Sequence, residues 1–440
     1  MVDVEFIKEI IVDFHNENLP VYTRRTVDFS CPENKIRTII GMRRSGKTYI
    51  FYQLINDLLK QDIDKNRILY INFEDERFYP FETSDFNILV KTYYELYPAL
   101  RDEKVYLFFD EIQNIPNWER FVRRLHDSGN VSLNLTGSSA RLLSKEIATA
   151  LRGRTLTYEI FPFSFPEFLR YKNLDFDVDS SKNRSYIVHA FEDYLFRGGF
   201  PEVLECSDKH RIRILQDYYN LILYKDLIDR YDIRNHGLIK YLLKFLLSNN
   251  SNSFSVNKFV NDSKSQGFSI SKDSIHNYLS YLEDAYCFSF MRIFADSERK
   301  KQVNYRKIYA TDHGLVTSMT TSRSYNTGRL IESMVYNHLR RVYSPNELFY
   351  YRTGNGEEID FITLSRGRLI NIIQVCERFD NTGARINELE ILFRTMDELN
   401  MNESIFITRN ESDTIRRKKK TIHIIPFWRW SIQNIKNADQ

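Results

Sequence analysis

One short stretch limits the fold of this chain more than any other feature of its sequence. Residues 41–48 read GMRRSGKT and fit the pattern G-x-x-x-x-G-K-[ST], whose glycines let successive backbone N–H groups converge on one anion. An apolar run at 36–40 precedes the stretch, and a helical pattern at 48–60 follows it. The motif binds phosphate in that strand–loop–helix context. We therefore predict an α/β fold with a parallel sheet and a nucleoside triphosphate site at this loop.

The positions of the loop have distinct predicted roles at the phosphates. Lys47 is expected to reach the β- and γ-phosphates, and the Thr48 hydroxyl is expected to ligate Mg²⁺. The other cofactor-binding candidates are Gly41, Arg43, Arg44, Ser45, Gly46 and Tyr49. Many phosphate loops are neutral where the two arginines stand. We expect one arginine to face the phosphates and the other to face an acid such as Glu74 or Asp75. ATP and Mg²⁺ are the predicted cofactors.

A second signature follows in the apolar run at 105–109, which ends in Asp110 and Glu111. In open α/β sheets the ligand lies beyond the carboxyl ends of the strands. Asp110 is therefore expected to hold Mg²⁺ and Glu111 to polarise the attacking water. A core strand followed by a solvated acidic turn is the alternative.

Two further catalytic candidates lie after the next apolar strand pattern, at 131–135. Thr136 is a candidate for contacting the γ-phosphate or the lytic water, and a turn that caps the next helix is the alternative. Arg154, or else Arg152, is a candidate arginine finger, acting in cis or from a neighbouring subunit of a homo-oligomer. A basic surface cluster is the alternative for these arginines.

Composition bounds the class of protein. At 440 residues the chain is expected to form two or three domains, and its net charge of +3 does not by itself favour nucleic acid. The four cysteines are scattered, which excludes a zinc ribbon and suits a reducing cytoplasm. No stretch approaches the ~18 uncharged apolar residues of a membrane span. These observations predict a soluble cytoplasmic protein without a membrane partner. The run at 26–29 is expected to be a short strand.

Six stretches together resemble a known family. They are GMRRSGKT, LFFDEIQ at 107–113, LTGSS at 135–139, LRGR at 151–154, FPFSFPEF at 161–168 and RGGFPE at 197–202. The chain is similar in these stretches to the archaeal-type AAA+ ATPases of archaea and bacteria, which carry a C-terminal domain of unknown function. The resemblance covers nearly the whole chain. It implies a five-stranded parallel AAA+ sheet and ATP hydrolysis.

The middle of the chain reads as helical. The periodicity at 187–247 predicts helices, broken at 198–201, that would form a lid over the nucleotide. Residues 238–294 then read helix, turn, helix, turn, helix, strand, which is the order of a winged helix-turn-helix. Its last helix would project Lys272, His276 and Asn277 outward. A winged helix used only for protein contacts is the alternative.

The last third has the element order αβββαβ of the restriction-endonuclease-like fold. A helix at 329–342 is followed by three strand patterns, a helix at 388–399 and further strands. The positions that match the metal ligands of that fold are Glu332, Asp360 and Gln374, but Cys376 stands where the lysine belongs. A cysteine provides no fixed cation, so an inactive site is favoured, unless Arg352 or Arg378 substitutes. The basic run at 416–420 is either a phosphate-contacting loop or a solvated charge run.

Together these inferences predict the domain organisation and the function of the chain. Residues 1–170 are expected to form the AAA+ core, 171–300 the helical lid and winged-helix region, and 301–440 a degenerate nuclease-like domain. We predict Mg²⁺-dependent ATP hydrolysis that moves the C-terminal module on DNA. The alternatives are a signalling or scaffold ATPase that binds a protein partner, and an active ATP-dependent nuclease.

Overall fold

The structure is a computed structural model that describes residues 3–138, 151–295, 297, 305–320, 326–378 and 383–438. The chain divides into two compact units, residues 1–161 and 162–440. Each unit contains its own sheet. No helix of the described residues is long and apolar enough to cross a membrane.

A sheet of five parallel strands forms the centre of the first unit. Its strands are β1 (Ile36–Gly41), β2 (Ile68–Asn72), β3 (Val105–Asp110), β4 (Val131–Ser138) and β5 (Thr155–Ile160). They lie side by side in the order β2-β3-β4-β1-β5. Because parallel strands end at the same edge, the loop after β1 and the acidic pair after β3 emerge together. The predicted parallel α/β sheet is confirmed.

Helices pack on this sheet and hold the phosphate loop in place. They are α1 (Val4–Asn16), α2 (Lys47–Leu59), α3 (Asp85–Leu96) and α4 (Trp118–Asp127). The buried rings of Phe51 on α2 and Phe108 on β3 meet edge to face, with centroids 5.1 Å apart. Ile39 on β1 belongs to the same apolar cluster. This packing fixes the helix that follows the phosphate loop against the strand that precedes it.

Two segments beside the sheet differ from what the sequence pattern suggests. The expected strand at 26–29 is absent, because the Asp28 carboxylate accepts hydrogen bonds from the N–H and the hydroxyl of Ser30, both at 2.8 Å. Such a local turn competes with a strand ladder. The edge strand β5 was not assigned from the residues, because its side chains are mostly exposed or half-buried and give no apolar run.

The second unit begins with a series of helices, as its periodicity predicts. The helices of this unit are α5 (Phe165–Tyr171), α6 (Ser181–Arg197), α7 (Asp208–Leu221), a π-helical segment (Ile222–Ile228), α8 (Asp229–Tyr231), α9 (His236–Ser248), α10 (Val256–Ser265), α11 (Lys272–Asp284), α12 (His313–Met319), α13 (Thr327–Leu339), α14 (Gly383–Glu398) and α15 (Phe427–Ala438). The break in the helical pattern at 198–201 falls between α6 and α7.

That break brings two backbone segments into close contact. The N–H groups of Gly199 and Gly314 both donate to the Asp312 carboxylate at 2.8 Å. A Cβ atom at Gly199 would lie 2.2 Å from the carbonyl oxygen of Phe163. No side chain fits at Gly199, so packing requires a glycine there. The RGGFPE stretch therefore contributes to the packed interior of the second unit.

Strands of the second unit form one nine-stranded sheet. They are β6 (Ser253–Phe254), β7 (Phe288–Ile293), β8 (Arg306–Ala310), β9 (Leu348–Arg352), β10 (Glu358–Ser365), β11 (Arg368–Val375), β12 (Glu403–Thr408), β13 (Asp413–Arg417) and β14 (Lys420–Pro426). Their order is β13-β14-β12-β11-β10-β9-β7-β8-β6. Strands β7 and β9 pair in parallel, with Arg292 opposite Phe349 and Ile293 opposite Tyr350. This pairing joins strands on either side of residue 300, where the sequence predicts a domain boundary.

Strands β6, β7 and β8 of this sheet belong to the region predicted to be a winged helix. The chain runs α9, β6, α10, α11, β7, β8, and β8 pairs antiparallel with both β6 and β7. Helix α11 buries Ile275, Leu279 and Leu282, because these residues recur at helical spacing. Lys272, His276 and Asn277 are exposed on it, as expected.

The C-terminal part has the expected element order. Helix α13 precedes β9, β10 and β11, and α14 then leads to β12. Strands β9, β10 and β11 pair antiparallel, whereas β11 and β12 pair parallel. The order αβββαβ is thus present, and its assignment to the restriction-endonuclease-like fold stays a prediction.

Candidate functional site

The phosphate loop leads directly into a helix N-terminus. Gly46 has φ +93°, a left-handed conformation that suits glycine, and Lys47 is the first residue of α2. The N–H of Ser45 donates to the carbonyl of Met42 at 3.3 Å, which closes the turn. Unpaired N–H groups and the positive end of the helix dipole make such a terminus an anion site.

Lys47 and Glu111 meet at the carboxyl edge of the sheet. Lys47 Nζ lies 3.4 Å from Glu111 Oε1, and the two side chains are 5% and 10% exposed. Lys47 Nζ also donates to the carbonyl of Met42 at 3.4 Å. Both contacts are long for a charge-assisted hydrogen bond. The ammonium group is therefore only loosely held where phosphate is expected.

Asp110 lies at the centre of a hydrogen-bond network. Its carboxylate accepts the hydroxyl of Thr136 at one oxygen and that of Tyr70, at 3.2 Å, at the other. Thr136 in turn accepts the N–H of Glu111 at 2.9 Å. Thr136 thus fixes both acids at once. Burial raises the pKa of Asp110, and the neighbouring charge of Glu111 also raises it.

The residues predicted to hold Mg²⁺ are together in the structure. The Thr48 hydroxyl lies close enough to the Asp110 carboxyl to lower its pKa, against the larger effect of burial. Hydroxyl and carboxylate oxygens suit this hard cation, which keeps several waters and binds substrate phosphates as well. Ser45 Oγ is buried beside them in the loop and has no hydrogen-bond partner among the described residues. The donor set fits a Mg²⁺–triphosphate complex.

One arginine of the loop has the acid partner that the sequence suggests. Arg43 Nη1 lies 3.8 Å from Glu74 Oε1, in a partly exposed pair. Burial raises the pKa of Glu74, as does the charge of Glu111, whereas Arg43 lowers it. The expectation of an arginine–acid contact is confirmed for Arg43. Arg44 has φ +65°, which shows that the loop turns sharply there.

Sequence reasoning missed two residues that support the loop and the acidic pair. Arg25 is buried and donates to the carbonyl of Ser45 at 3.3 Å and to that of Phe161. Gln113 donates through Nε2 to Glu111 Oε2. The backbone of Glu111 is left-handed, with φ +50°. Arg25 belongs to no sequence motif that would mark it as part of the site. Gln113, in contrast, is only two residues from Glu111, and this proximity in sequence is a signal that it contacts the acid.

Arg154 does not lie near the phosphate loop of its own chain. Its carbonyl accepts the N–H of Ile36, the first residue of β1, at 2.8 Å, and its guanidinium pairs with Asp127 at 3.0 Å. The loop follows the other end of β1, about 17 Å away at the usual rise per residue. A cis arginine finger is therefore wrong for Arg154 in this arrangement. Action from a neighbouring subunit stays a prediction. Arg152 lies in the same exposed turn, and Tyr49 is half-exposed beside Thr48.

The predicted metal ligands of the C-terminal part surround a lysine. We call Glu332 on α13 with Glu358 and Asp360 on β10 the carboxylate cluster. Lys307 Nζ lies 2.8 Å from Glu332, 3.0 Å from Glu358 and 2.8 Å from Asp360. Burial opposes its charge, but the carboxylates of Asp360 and Glu332 prevail and raise the pKa of Lys307 well above its usual value.

The other two predicted positions of that site contribute differently. Gln374 Oε1 accepts the N–H of Asp360 at 3.2 Å, so it supports the cluster from the side. Cys376 Sγ donates to the carbonyl of Arg378 at 3.2 Å, and burial raises the pKa of its thiol to about 12. No lysine stands at position 376, and the cluster instead contains Lys307, which β8 supplies and which was not predicted.

The basic run at 416–420 covers the end of β13, the two-residue turn after it and the first residue of β14. Arg417 pairs with Glu390 at 2.7 Å, and Lys420 pairs with Asp397. Arg416, Lys418 and Lys419 are exposed. Acids of α14 therefore accompany part of the positive charge of the run.

Comparison with known proteins agrees with the geometry of the first site. Residues 33–169 match the family model described as an AAA domain. The chain is 36% identical over 448 residues to the uncharacterized protein MJ1544 of Methanocaldococcus jannaschii, covering 98% of this chain and 96% of that one. It is 30% identical over 358 residues to an uncharacterized protein of Haemophilus influenzae, covering 81% of this chain and 86% of that one.

These matches define the class of protein and then its family. The parallel sheet and phosphate loop are those of an AAA-type P-loop ATPase domain. The chain belongs to one family with the M. jannaschii and H. influenzae proteins. Residues 188–326 and 327–430 match models described as domains of unknown function, DUF8612 and DUF4143. Among solved structures, the chain is similar to the Walker-type ATPase PABY2304 of Pyrococcus abyssi, with 16% identity, a TM-score of 0.42, and coverage of 69% of this chain and 99% of that one.

Proposed function

We propose that this protein is a Mg²⁺-dependent ATPase whose hydrolysis cycle moves its C-terminal module, with DNA as the substrate of that module. One observation supports the ATPase above all: Lys47 and the acidic pair Asp110–Glu111 meet within the same hydrogen-bonded site, next to Thr48. The AAA family membership of the chain supports the same conclusion.

Each residue of the site has a distinct part in hydrolysis. Lys47 and the loop N–H groups bind the β- and γ-phosphates and offset their charge. Thr48 and Asp110 would hold Mg²⁺, which would neutralise charge that develops on the phosphate oxygens. Glu111 orients the attacking water and accepts its proton. Thr136 keeps the carboxylate of Asp110 and the backbone of Glu111 in register, and its direct contact with phosphate or water is a further part of the proposal.

Binding of a triphosphate requires Lys47 to change partners. The ammonium group now pairs with Glu111 at 3.4 Å. When phosphate oxygens take over Lys47, the carboxylate of Glu111 is released to act on water. Gln113, which also donates to Glu111, then keeps that carboxylate oriented.

The experiment that tests the ATPase compares two variants with the wild type. Lys47→Ala should lose ATP affinity, because it removes the only ammonium of the loop. Glu111→Gln should bind ATP normally but hydrolyse it about 10²–10⁴-fold more slowly, as expected for loss of a general base. Affinity would be measured by titration calorimetry and turnover by phosphate release. Unchanged turnover in Glu111→Gln would show that another residue activates the water.

DNA is the proposed substrate because of the winged-helix arrangement. The order α9, β6, α10, α11, β7, β8 and the exposed Lys272, His276 and Asn277 on α11 suit a helix that enters a major groove. Fluorescence anisotropy with duplex and single-stranded DNA across salt concentrations tests this. Absence of binding at ~50 mM salt would refute DNA as the substrate and leave a protein partner as the alternative. ATPase rates with and without DNA would show whether the two activities are coupled.

A further inference from the structure

We propose that the ammonium group of Lys307 is a permanent internal cation that takes the place of a divalent metal in the carboxylate cluster and joins strand β8 to helix α13 and strand β10. The proposal concerns the second unit alone and does not depend on ATP hydrolysis.

The ammonium group of Lys307 is held by the three carboxylates of the cluster. An ammonium group has three N–H donors and no acceptor. Its nitrogen lies at 2.8, 3.0 and 2.8 Å from one oxygen of each of the three carboxylates. Lys307 Nζ donates hydrogen bonds to Glu332 and Asp360, and it pairs by charge with Glu358. Lys307 is therefore arranged as a structural cation and differs from a catalytic lysine of a nuclease.

Burial makes this pairing durable. The Lys307 side chain is 3% exposed, and those of Glu332 and Asp360 are 12% and 11% exposed. Fully buried lysines occur almost only in ion pairs, and removing one partner of such a pair leaves an uncompensated charge. Movement of the lysine into water would leave the buried carboxylates of Glu332 and Asp360 without this counter-ion, whereas Glu358 also pairs with Arg352 at 3.1 Å.

The surroundings do not fit Mg²⁺. This ion needs oxygen ligands at about 2.0–2.1 Å in an octahedron, and the position between the carboxylates is filled by Lys307 Nζ. Across the described residues, no group of three or more His, Cys, Asp or Glu side chains is arranged to hold a metal ion. The second oxygen of Asp360 accepts the N–H of Val375 at 3.0 Å, so it too is occupied. A metal-dependent nuclease site is therefore not supported by these residues.

The same contacts connect three elements of the second unit. Lys307 belongs to β8 of the winged-helix arrangement, whereas its partners belong to α13 and β10. Tyr309, on the same strand, donates its hydroxyl to Glu332 at 2.7 Å and stacks on Tyr336 with centroids 4.0 Å apart. The ionic cluster and the stacked rings together fix β8 against the C-terminal elements.

Terbium luminescence tests the proposal on the full-length chain. Tb³⁺ is an oxygen-seeking probe, and Tyr309 would sensitise its emission if the ion entered the cluster. We expect equal emission from the wild type and Asp360→Asn, a severalfold gain in Lys307→Met, and loss of that gain in Lys307→Met/Asp360→Asn. Comparing paired variants cancels any emission that arises at the nucleotide site.

Two results would overturn the proposal. Emission from the wild type that falls in Asp360→Asn would show that a metal displaces the ammonium group, and no gain in Lys307→Met would show that the cluster is not metal-like. If Lys307→Met fails to fold, the wild-type comparison still decides, together with a plasmid-nicking assay. Mg²⁺-dependent nicking by the wild type that disappears in Asp360→Ala would refute the internal cation.

Discussion

Both units place a buried lysine against acids, but the two lysines are held very differently. Lys47 has one carboxylate partner, at 3.4 Å, and a backbone carbonyl at the same distance. Lys307 has three carboxylate partners at 2.8–3.0 Å. The first lysine lies beside a glycine loop and a helix N-terminus that invite an anion. The second lies within the ladder of β8 and is enclosed by side chains.

The difference shows how to distinguish a functional lysine from a structural one. A lysine that serves a ligand needs N–H donors that can be transferred to it at little cost. Lys47 can exchange its long contacts for phosphate oxygens. Lys307 would have to abandon three short ion pairs, which leaves buried negative charge behind. Burial alone does not separate the two, since Lys47 is 5% exposed and Lys307 is 3% exposed.

Removing each lysine in turn should affect stability unequally. We expect Lys307→Met to lower the free energy of unfolding of the second unit by about 3–5 kcal/mol, the cost of breaking a buried ion pair. Lys47→Met should cost less than Lys307→Met, because its single carboxylate contact, at 3.4 Å, is longer than those of Lys307. Urea unfolding would be followed by tryptophan fluorescence, with Trp118 reporting on the first unit and Trp428 and Trp430 on the second. Equal losses would contradict the comparison.

The hydroxyl group of Thr136 should matter more than its size. Thr136→Val keeps the shape of the side chain but removes the hydroxyl that donates to Asp110 and accepts the N–H of Glu111. Loss of these hydrogen bonds should lower the free energy of unfolding by about 1–3 kcal/mol. We expect slower ATP hydrolysis in Thr136→Val and near-normal hydrolysis in Thr136→Ser. Wild-type turnover in Thr136→Val, measured by phosphate release at saturating ATP, would show that the acids hold their geometry without this bridge.

The carboxylate cluster should also give the second unit a characteristic pH dependence. Burial raises the pKa of Glu332 from 4.5 to about 7, with Asp360 adding to the rise and Lys307 opposing it. The folded state then binds a proton that the unfolded state releases, so stability falls as the pH rises from about 4.5 to 7. Glu332→Gln should flatten this decline in urea midpoints recorded across that range. If the wild type instead became more stable relative to Glu332→Gln as the pH rises over this range, the pKa of Glu332 would be lowered by folding and the prediction would be wrong.

The smallest effect is expected at Arg154. Its pair with Asp127 lies at the surface, where such contacts contribute about 0–1 kcal/mol. Arg154→Ala should therefore unfold like the wild type, and ATP turnover in dilute, monomeric protein should stay within roughly twofold. Slower turnover that appears only in an oligomer, and that is rescued by mixing with Glu111→Gln protein, would assign the arginine to the neighbouring site.

The nucleotide site could be predicted because its residues are close in sequence or follow consecutive strands. Asp110 and Thr136 come together because β3 and β4 are neighbours that end at one edge. The interpretation of Cys376 as the replacement for a nuclease lysine stays a prediction. Lys307 could not be foreseen, since it is 25 residues from Glu332 and 53 from Asp360, and no motif marks it. Arg25 escaped notice for the same reason, because it contacts Ser45 and Phe161 across 20 and 136 residues.

The pairing of β7 with β9 has a consequence for how this chain can evolve. Modules recombine easily when each keeps its own charge balance and its own sheet edges. Here one segment supplies the cation and strand β7, and the other supplies the three carboxylates and strand β9. Exchange of either segment for an unrelated one would leave the buried carboxylates of Glu332 and Asp360 without the ammonium group and β9 without β7 as its neighbour. The segment that carries β6–β8 and the segment that carries β9–β14 must therefore be inherited as a pair.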